Sequence, residues 1–478
     1  MEERKQAKPA TLAHALFVIA FLIIILAVSL IVMGADPHIP LILATIVAAL
    51  IGVFVLGHTW SDLEEAIVRT IGMAMQAILI LMVIGSIIGT WILSGTVPTM
   101  IFYGLQILSP GIFLFATALI CMIVSVSTGS SWTTAGTVGI ALMGVGIGLG
   151  MPEGMVAGAI VSGAYFGDKM SPLSDTTNLS PAMAGTTLFE HIQSMLWTTI
   201  PAITVALIIF AALGARYSGQ ALDAGEISAM LAVMSENFNI SLLMLIPPIV
   251  VIAIVIMKVP ALPGLIIGVI LGGVFAMLFQ GAGFADVIDA AHYGFAMESG
   301  VELVDDLLSR GGLDGMMWTI SLILIALSFG GVLEKTGMLH AIGSAILQFA
   351  HSSGSLIAAT VLTCLAVNLL SGEQYIALVI PGRMYREAYH EQGIHPKLLS
   401  RALEGGGTVT SALIPWNTCG AFMWSTLGVH PFTYAPYAFF NLLMPVFEII
   451  AGFIGFGVFA EDGTKIVGSK AKTVVVSS

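Results

Sequence analysis

Charge is scarce in this sequence. Asp, Glu, Lys and Arg together make up 9% of 478 residues, and 16 residues in all are Lys or Arg. An average soluble domain is about a quarter charged. With 57% hydrophobic residues and a mean hydropathy of +1.01, there are too few polar groups to cover a globule of this size. A soluble globular fold is therefore excluded. So is disorder, which needs low hydrophobicity and high charge. A net charge of -12 with so little Lys and Arg also excludes a nucleic-acid partner, because phosphate binding needs basic patches. Cysteine is nearly absent. The three present, Cys121, Cys364 and Cys419, lie in apolar stretches, so no disulfide framework is indicated. The alternating segments of a membrane β-barrel are missing too. The apolar runs are continuous, which leaves an all-α polytopic membrane protein.

A bilayer-crossing helix needs roughly 20 mostly apolar residues. Such runs fall at about 11–33, 39–57, 71–93, 191–213, 241–257, 261–280, 313–333 and 433–459. The apolar run Ala15–Met33 is too long for a signal-peptide core and reads as a first transmembrane helix. Two regions, 112–186 and 355–430, are apolar but interrupted by Gly, Pro, Ser, Thr, Asp and Asn. Backbone that leaves the helix at membrane depth is tolerated inside protein or beside a water-filled cavity.

An offset of 243 positions aligns these two regions without a gap. Identities include Cys121/Cys364, Gly129/Gly372, Gly150/Gly393, Pro172/Pro415 and Gly185/Gly428. TGSSW (128–132) meets SGEQY (371–375), and SPLSDTTN (171–178) meets IPWNTCGA (414–421). Each region is expected to hold a re-entrant hairpin (113–147, 356–382) followed by a broken helix (153–184, 396–428). With the N-terminus, carrying Arg4, Lys5 and Lys8, taken as cytoplasmic, 13 of the 16 basic residues fall on the inner side. Arg216 and Arg310 fall outside, and Lys169 at mid-depth. The loop 383–397 is basic where its counterpart 140–154 is not, so the two repeats are expected to be inverted relative to each other.

The expected architecture is thus two inverted repeats of about five transmembrane helices, each with a re-entrant hairpin and a broken helix. The first repeat spans 1–214, an extracytoplasmic connector 215–240, the second repeat 241–462 and a cytoplasmic tail 463–478. Both termini are expected in the cytoplasm of a multi-pass plasma-membrane protein. The polar, acidic segments 216–240 and 281–312 are expected as solvated surface helices. Inverted repeats with discontinuous helices characterise secondary transporters, whose sites lie near the midplane at the repeat interface.

Within the first broken helix, Asp168 and Asp175 are carboxylates at bilayer depth, which are costly and mark ion pathways. Such a group holds H+ or Na+ in competition, the minimal chemistry of proton-linked cation exchange. Asp175 ranks first, and Asp175→Asn is expected to abolish Na+-dependent proton flux. The competing possibility is that Lys169 or Arg401 neutralises one Asp as a structural pair. Thr176, Thr177 and Asn178 offer neutral oxygens of the kind hard cations prefer, or else cap a half-helix. Asn417 and Thr418 would complete the site from the other half. The hairpin tips, with Ser130 and Glu373, aim helix N-termini at the midplane, a feature suited to an anion. Glu404 and Arg401, one turn apart, read as a local ion pair. Glu448 is a weaker candidate for a proton path, and His191 reads as part of a helix cap.

His390–His395 spells H-E-x-x-x-H, one residue too long for the zinc-protease spacing, so an intramembrane metalloprotease is discounted and no enzymatic activity is expected. Gly144/Gly148 and Gly268/Gly272 read as close helix packing.

The strings GDKMSPLSDTTNLSPAMAG (167–185) and GGVLEKTGML (330–339) resemble the NhaC-type Na+/H+ antiporters of the ion-transporter superfamily. The resemblance covers most of the chain. It implies a sodium/proton exchanger with an inverted-repeat core and no cofactor. It carries over to Asp168, Asp175, Thr176, Thr177 and Asn178; from their oxygen chemistry, Asp175, Thr176 and Asn178 are the expected Na+ ligands. The same family includes Na+-linked malate/lactate exchangers, so a small carboxylate stands as an alternative partner beside Na+, H+ and membrane lipid. A homodimer is compatible with the chain.

Overall fold

The computed structural model describes residues 7–218 and 224–466. Arg4, Lys5, Lys470 and Lys472, which enter the charge argument above, lie outside the described residues, as does most of the expected tail.

Regular structure among the described residues is helical. α1 (Leu12–Ala27), α2 (His38–Leu50) and α3 (Trp60–Leu93) come first. α3 starts well before its apolar run, because Thr59 and Asp62 cap each other: Thr59 Oγ1 accepts from the Asp62 amide and Asp62 Oδ2 from the Thr59 amide. Next come α4 (Thr96–Ile107), α5 (Pro110–Thr128) and a helix tip α6 (Ser131–Thr134), which a π turn joins to α7 (Ile140–Gly148). α8 (Glu153–Met170) breaks before α9 (Asp175–Ala184), and α10 (Leu188–Ala215) follows. The connector carries α11 (Ala224–Asn237), then α12 (Ile246–Ile256), α13 (Ala261–Phe279), α14 (Phe284–Tyr293) and α15 (Glu302–Leu308). The second half contains α16 (Met317–Lys335), α17 (Met338–Leu347), α18 (Ser353–Ser371) and α19 (Gln374–Glu391). α20 (Pro396–Leu403) runs through a π turn into α21 (Val409–Ser411) and breaks before α22 (Thr418–Leu427). α23 (Pro431–Tyr434) and α24 (Phe439–Ile454) close the chain.

Eight of these helices are long and apolar enough to cross a membrane, and ten if each of two bent pairs makes one span. One bent pair turns by 91° between α11 and α12, which lays α11 across the end of the bundle. Side chains such as Phe17, Phe54 and Ile208 are more than half exposed. In water such a surface would aggregate, whereas a bilayer supplies its apolar partner.

Element starts recur at the offset seen in the sequence: 110 and 353, 131 and 374, 153 and 396, 175 and 418, 188 and 431. Left-handed glycines recur with them, Gly129 with Gly372 (φ 71° and 67°) and Gly185 with Gly428 (φ 83° and 76°). A side chain at these turns would strain the backbone. After Gly372 the chain doubles back: Tyr385 on α19 bonds Thr363 on α18, and Tyr389 bonds Thr360. After Gly129 it does the same, bringing Gly146 beside Phe113.

The acidic segment 281–312 forms the expected helices, α14 and α15, but is not wholly solvated. Val304, Leu307 and Leu308 are buried, and Gly312 donates its amide to the Gly85 carbonyl at 2.7 Å. Gly85 and Gly89 leave a side-chain-free groove on α3, and the backbone of the segment fills it. The glycine pairs of α7 and α13 pack as expected, Gly144 against Ile101 and Gly268 against Val251.

α5 and α8, the two helices that carry the first hairpin tip and the first broken helix, pack closely along their length. A Cβ on Gly163 would lie 2.3 Å from the Ala118 carbonyl oxygen. Ser125 Oγ donates to the Ala164 carbonyl at 2.6 Å across the same seam. Gly163→Val is expected to cost ~1–3 kcal/mol by overpacking. It should appear as a lower melting temperature of the detergent-solubilised protein, and an unchanged value would show that the seam is looser than described.

Candidate functional site

Each broken helix meets the hairpin tip of its own half. In the first half, Ser131 donates both Oγ–H (2.6 Å) and its amide (3.2 Å) to Asp168 Oδ2. Ser174 Oγ donates to Asp168 Oδ1 at 2.7 Å. Asp168 therefore closes α8, caps the tip helix α6 and contacts the N-cap of α9 at once. In the second half, the Thr418 amide donates to the Gly372 carbonyl at 2.9 Å.

The halves meet across α9. Tyr375, from the second tip, donates its hydroxyl to Asp175 Oδ2, while the Thr176 amide donates to Asp175 Oδ1 at 2.9 Å. Trp132 of the first tip stacks on Phe422 of α22 with ring centroids 4.0 Å apart. Between these contacts lies a cavity of about 760 Å³. Its wall includes Asp168, Asp175 and Glu373, with Ser130 and Thr418 beside them. It reaches the surface next to Lys258 and Pro260, both exposed, at the α12–α13 turn. Asp175 is exposed to this space, whereas Asp168 and Glu373 are buried in its wall.

The other proposed ligands point elsewhere. Thr177 Oγ1 donates to the Asp168 and Lys169 carbonyls, both at 3.0 Å, satisfying the open end of α8. Asn178 Nδ2 donates to the Pro172 and Ser174 carbonyls and braces the break. Asn417 caps α22, accepting from the Cys419 amide at 3.1 Å, and donates to Asn368. Thr176 Oγ1 turns from the cavity and donates to Glu404 Oε1 at 3.0 Å.

The tip helices are capped from within. Ser130 Oγ accepts from the Thr133 amide at 3.1 Å, and the Glu373 carboxylate accepts from the amides of Tyr375 and Ile376. The anion that each helix start attracts is thus supplied by the chain: Asp168 in the first half and Glu373 in the second.

No basic side chain pairs with Asp168 or Asp175 in the described residues. The expected Arg401–Glu404 pair is replaced. Arg401 Nε donates to Glu448 Oε1 at 2.6 Å and its Nη1 to the Gly457 carbonyl at 2.8 Å, with both side chains fully buried. Glu404 instead receives the hydroxyls of Thr176 (3.0 Å) and Ser180 (2.6 Å) from α9. His191 is not a cap. Glu190 caps α10 through the Thr187 amide, and His191 is buried with Nδ1 2.7 Å from Ser400 Oγ.

The family model for the Na+/H+ antiporter family matches residues 163–456, which holds the break between α8 and α9, the second hairpin and the second broken helix. The chain belongs to the Na+/H+ antiporter family. It is 42% identical to the Na+/H+ antiporter NhaC of Alkalihalophilus pseudofirmus over 456 residues, covering 95% of this chain and 98% of that one. It is 40% identical to the malate-2H+/Na+-lactate antiporter of Bacillus subtilis, covering 86% and 87%. It is 38% identical to the arginine/ornithine antiporter ArcD of Halobacterium salinarum, covering 96% of each.

For this family member, sequence reasoning overlooked Ser131, Ser174 and Tyr375 as contacts of the two aspartates. All three stood inside the aligned strings TGSSW, SPLSDTTN and SGEQY. The signal was proximity: Ser131 and Ser174 sit next to Ser130 and Asp175, and Tyr375 lies two residues after Glu373.

Proposed function

We propose that the chain exchanges Na+ for H+ by alternating access, with Asp168 and Asp175 binding either ion in turn and Glu373 beside them. The observation that carries this reading is the cavity itself. Three carboxylates from both halves face it, and the buried cations nearby, Arg401 and Lys169, are turned to the Glu448 and Glu404 side. Unpaired carboxylates at membrane depth are costly unless they hold a cation or a proton. We read the two halves as inverted repeats that rock about this cavity. The connector would then be extracytoplasmic, and both termini and the α12–α13 mouth cytoplasmic, in a plasma-membrane protein.

Exchange of a small carboxylate coupled to Na+ and H+ is the second reading. The cavity is wider than one ion needs, exposed Lys258 stands at its mouth, and one relative is a malate/lactate exchanger. Against it, the helix starts that would receive the anion are already occupied by Asp168 and Glu373.

The test is a Na+ pulse on proteoliposomes loaded with a pH-sensitive dye. Proton movement with no organic acid present is the expected result. Strict dependence on malate or lactate would transfer the assignment to the second reading.

A further inference from the structure

Beyond the cavity, on the far side of α9, lies a second group of buried charges: Glu404, Lys169, Arg401 and Glu448, with His191 nearby. Arg401 and Glu448 pair with each other through Nε and Oε1. Glu404 has no such partner. It receives hydroxyls from Thr176 and Ser180, with Lys169 and the Cys364 thiol in electrostatic range. The Lys169 ammonium is fully buried and makes no hydrogen bond among the described residues.

A continuous line of oxygens joins Glu404 to the cavity. Asp168 Oδ1 lies 2.7 Å from Ser174 Oγ, which lies 3.0 Å from Thr176 Oγ1, which lies 3.0 Å from Glu404 Oε1. All four residues are buried. We propose that Glu404 is a second proton-holding residue of this exchanger, sharing one proton with Asp168 through the hydroxyls of Ser174 and Thr176. The proposal rests on the cation/proton reading of the cavity.

Counting hydrogens carries the argument. The line has three gaps, and its two hydroxyls bring one hydrogen each. With both carboxylates ionised, Ser174 donates to Asp168 and Thr176 donates to Glu404. The gap between the hydroxyls then holds no hydrogen, and two lone-pair oxygens face each other in a dry site. One added proton fills the line. On Glu404, it is donated to Thr176, Thr176 donates to Ser174, and Ser174 donates to ionised Asp168. On Asp168, every donation runs the other way and Glu404 is ionised. The two states interconvert by hops along the line, each oxygen passing on one hydrogen as it gains another. No other bond changes, and the total charge is constant.

The surroundings bias the two states in opposite directions. Lys169, on the Glu404 side, favours the proton on Asp168. A cation in the cavity favours ionised Asp168 and drives the proton to Glu404. Cation occupancy in the cavity is thereby written into the protonation of a residue on the second broken helix, beside the Arg401–Glu448 pair.

The test compares Thr176→Val, Thr176→Ser and Glu404→Gln in the proteoliposome assay. Thr176→Val is expected to keep the apparent Na+ affinity within about threefold while the maximal rate of coupled proton movement falls about 100-fold or more, the range of a lost proton-transfer group. Thr176→Ser, which keeps the hydroxyl, should restore the rate. Glu404→Gln should match Thr176→Val, and the double variant should be no slower than either, because both cut the same line. In infrared difference spectra of the purified protein, Na+ should shift the carboxylic-acid band of the wild type but abolish it in Thr176→Val, where the proton must leave. A Thr176→Val protein with wild-type rate, or equal losses in Val and Ser variants, would overturn the relay and leave the cavity reading standing. A wild type silent to Na+ in both assays would overturn the cavity reading and the relay together.

Discussion

Asp168→Asn is expected to reduce Na+-evoked proton movement in proteoliposomes by about 100-fold or more, from the lower end of the range for loss of a proton-transferring side chain upward. Asparagine keeps the shape and one acceptor oxygen, so the contacts with Ser131 and Ser174 change little in geometry. What disappears is the charge that holds a cation and the site that holds a proton. Asp175→Asn should do less. Its carboxylate stands exposed in the cavity and accepts from the Tyr375 hydroxyl, so its loss is expected to weaken the apparent Na+ affinity more than the maximal rate. This reverses the ranking made from sequence, where Asp175 came first. Gel filtration would verify that both variants fold. Wild-type flux in Asp168→Asn would remove that residue from the ion path.

The largest stability effect is expected at Arg401. Its side chain is fully buried, and so is that of Glu448. Arg401→Met leaves the Glu448 carboxylate in a dry interior without its cation and the Gly457 carbonyl without its donor. Breaking one partner of a buried pair costs ~3–5 kcal/mol. Arg401→Met with Glu448→Met removes the uncompensated charge as well, and should regain most of that loss, since a buried ion pair is often worth no more than apolar residues of similar volume. Melting of the four proteins of this cycle, followed by intrinsic fluorescence in detergent, measures the coupling. If Arg401→Met alone melts like the wild type, water must reach Glu448.

Part of the candidate site is legible in the sequence itself. Breakers at bilayer depth cannot be ignored by a chain that must satisfy its own backbone, so Pro172, Pro415 and the glycines of both regions announced where helices stop. The aspartates beside them announced chemistry, because lipid makes a carboxylate expensive. The side-chain directions were not readable. Thr176 follows Asp175 by one residue, yet one faces the cavity and the other faces Glu404. A helix start rotates successive side chains by about 100°, and no spacing rule says which direction the cavity will lie in. The Arg401–Glu404 pairing failed for a related reason. The rule of one-turn neighbours says which side chains can meet, but packing turned Arg401 to Glu448 on α24 and Glu404 to Thr176 and Ser180 on α9.

The acidic segment 281–312 shows the same limit at larger scale. Composition marked it as polar and therefore wet, but composition cannot see a groove on another helix. Gly85 and Gly89 lie one turn apart on α3, more than 200 residues earlier in the chain, and only their vacant face explains why Gly312 and Ala290 come in so close.

Hydropathy, breaker positions and the 243-residue spacing were enough to establish a helical membrane protein with two interrupted regions, because these are demands that lipid places on the backbone wherever it lies. Which oxygens face a common cavity, which carboxylates lack a cation, and that Asp168 reaches Glu404 through two hydroxyls were decided by tertiary packing. Those relations join residues as much as 236 positions apart, and a hydrogen bond depends on distances of a few ångströms that no local pattern encodes.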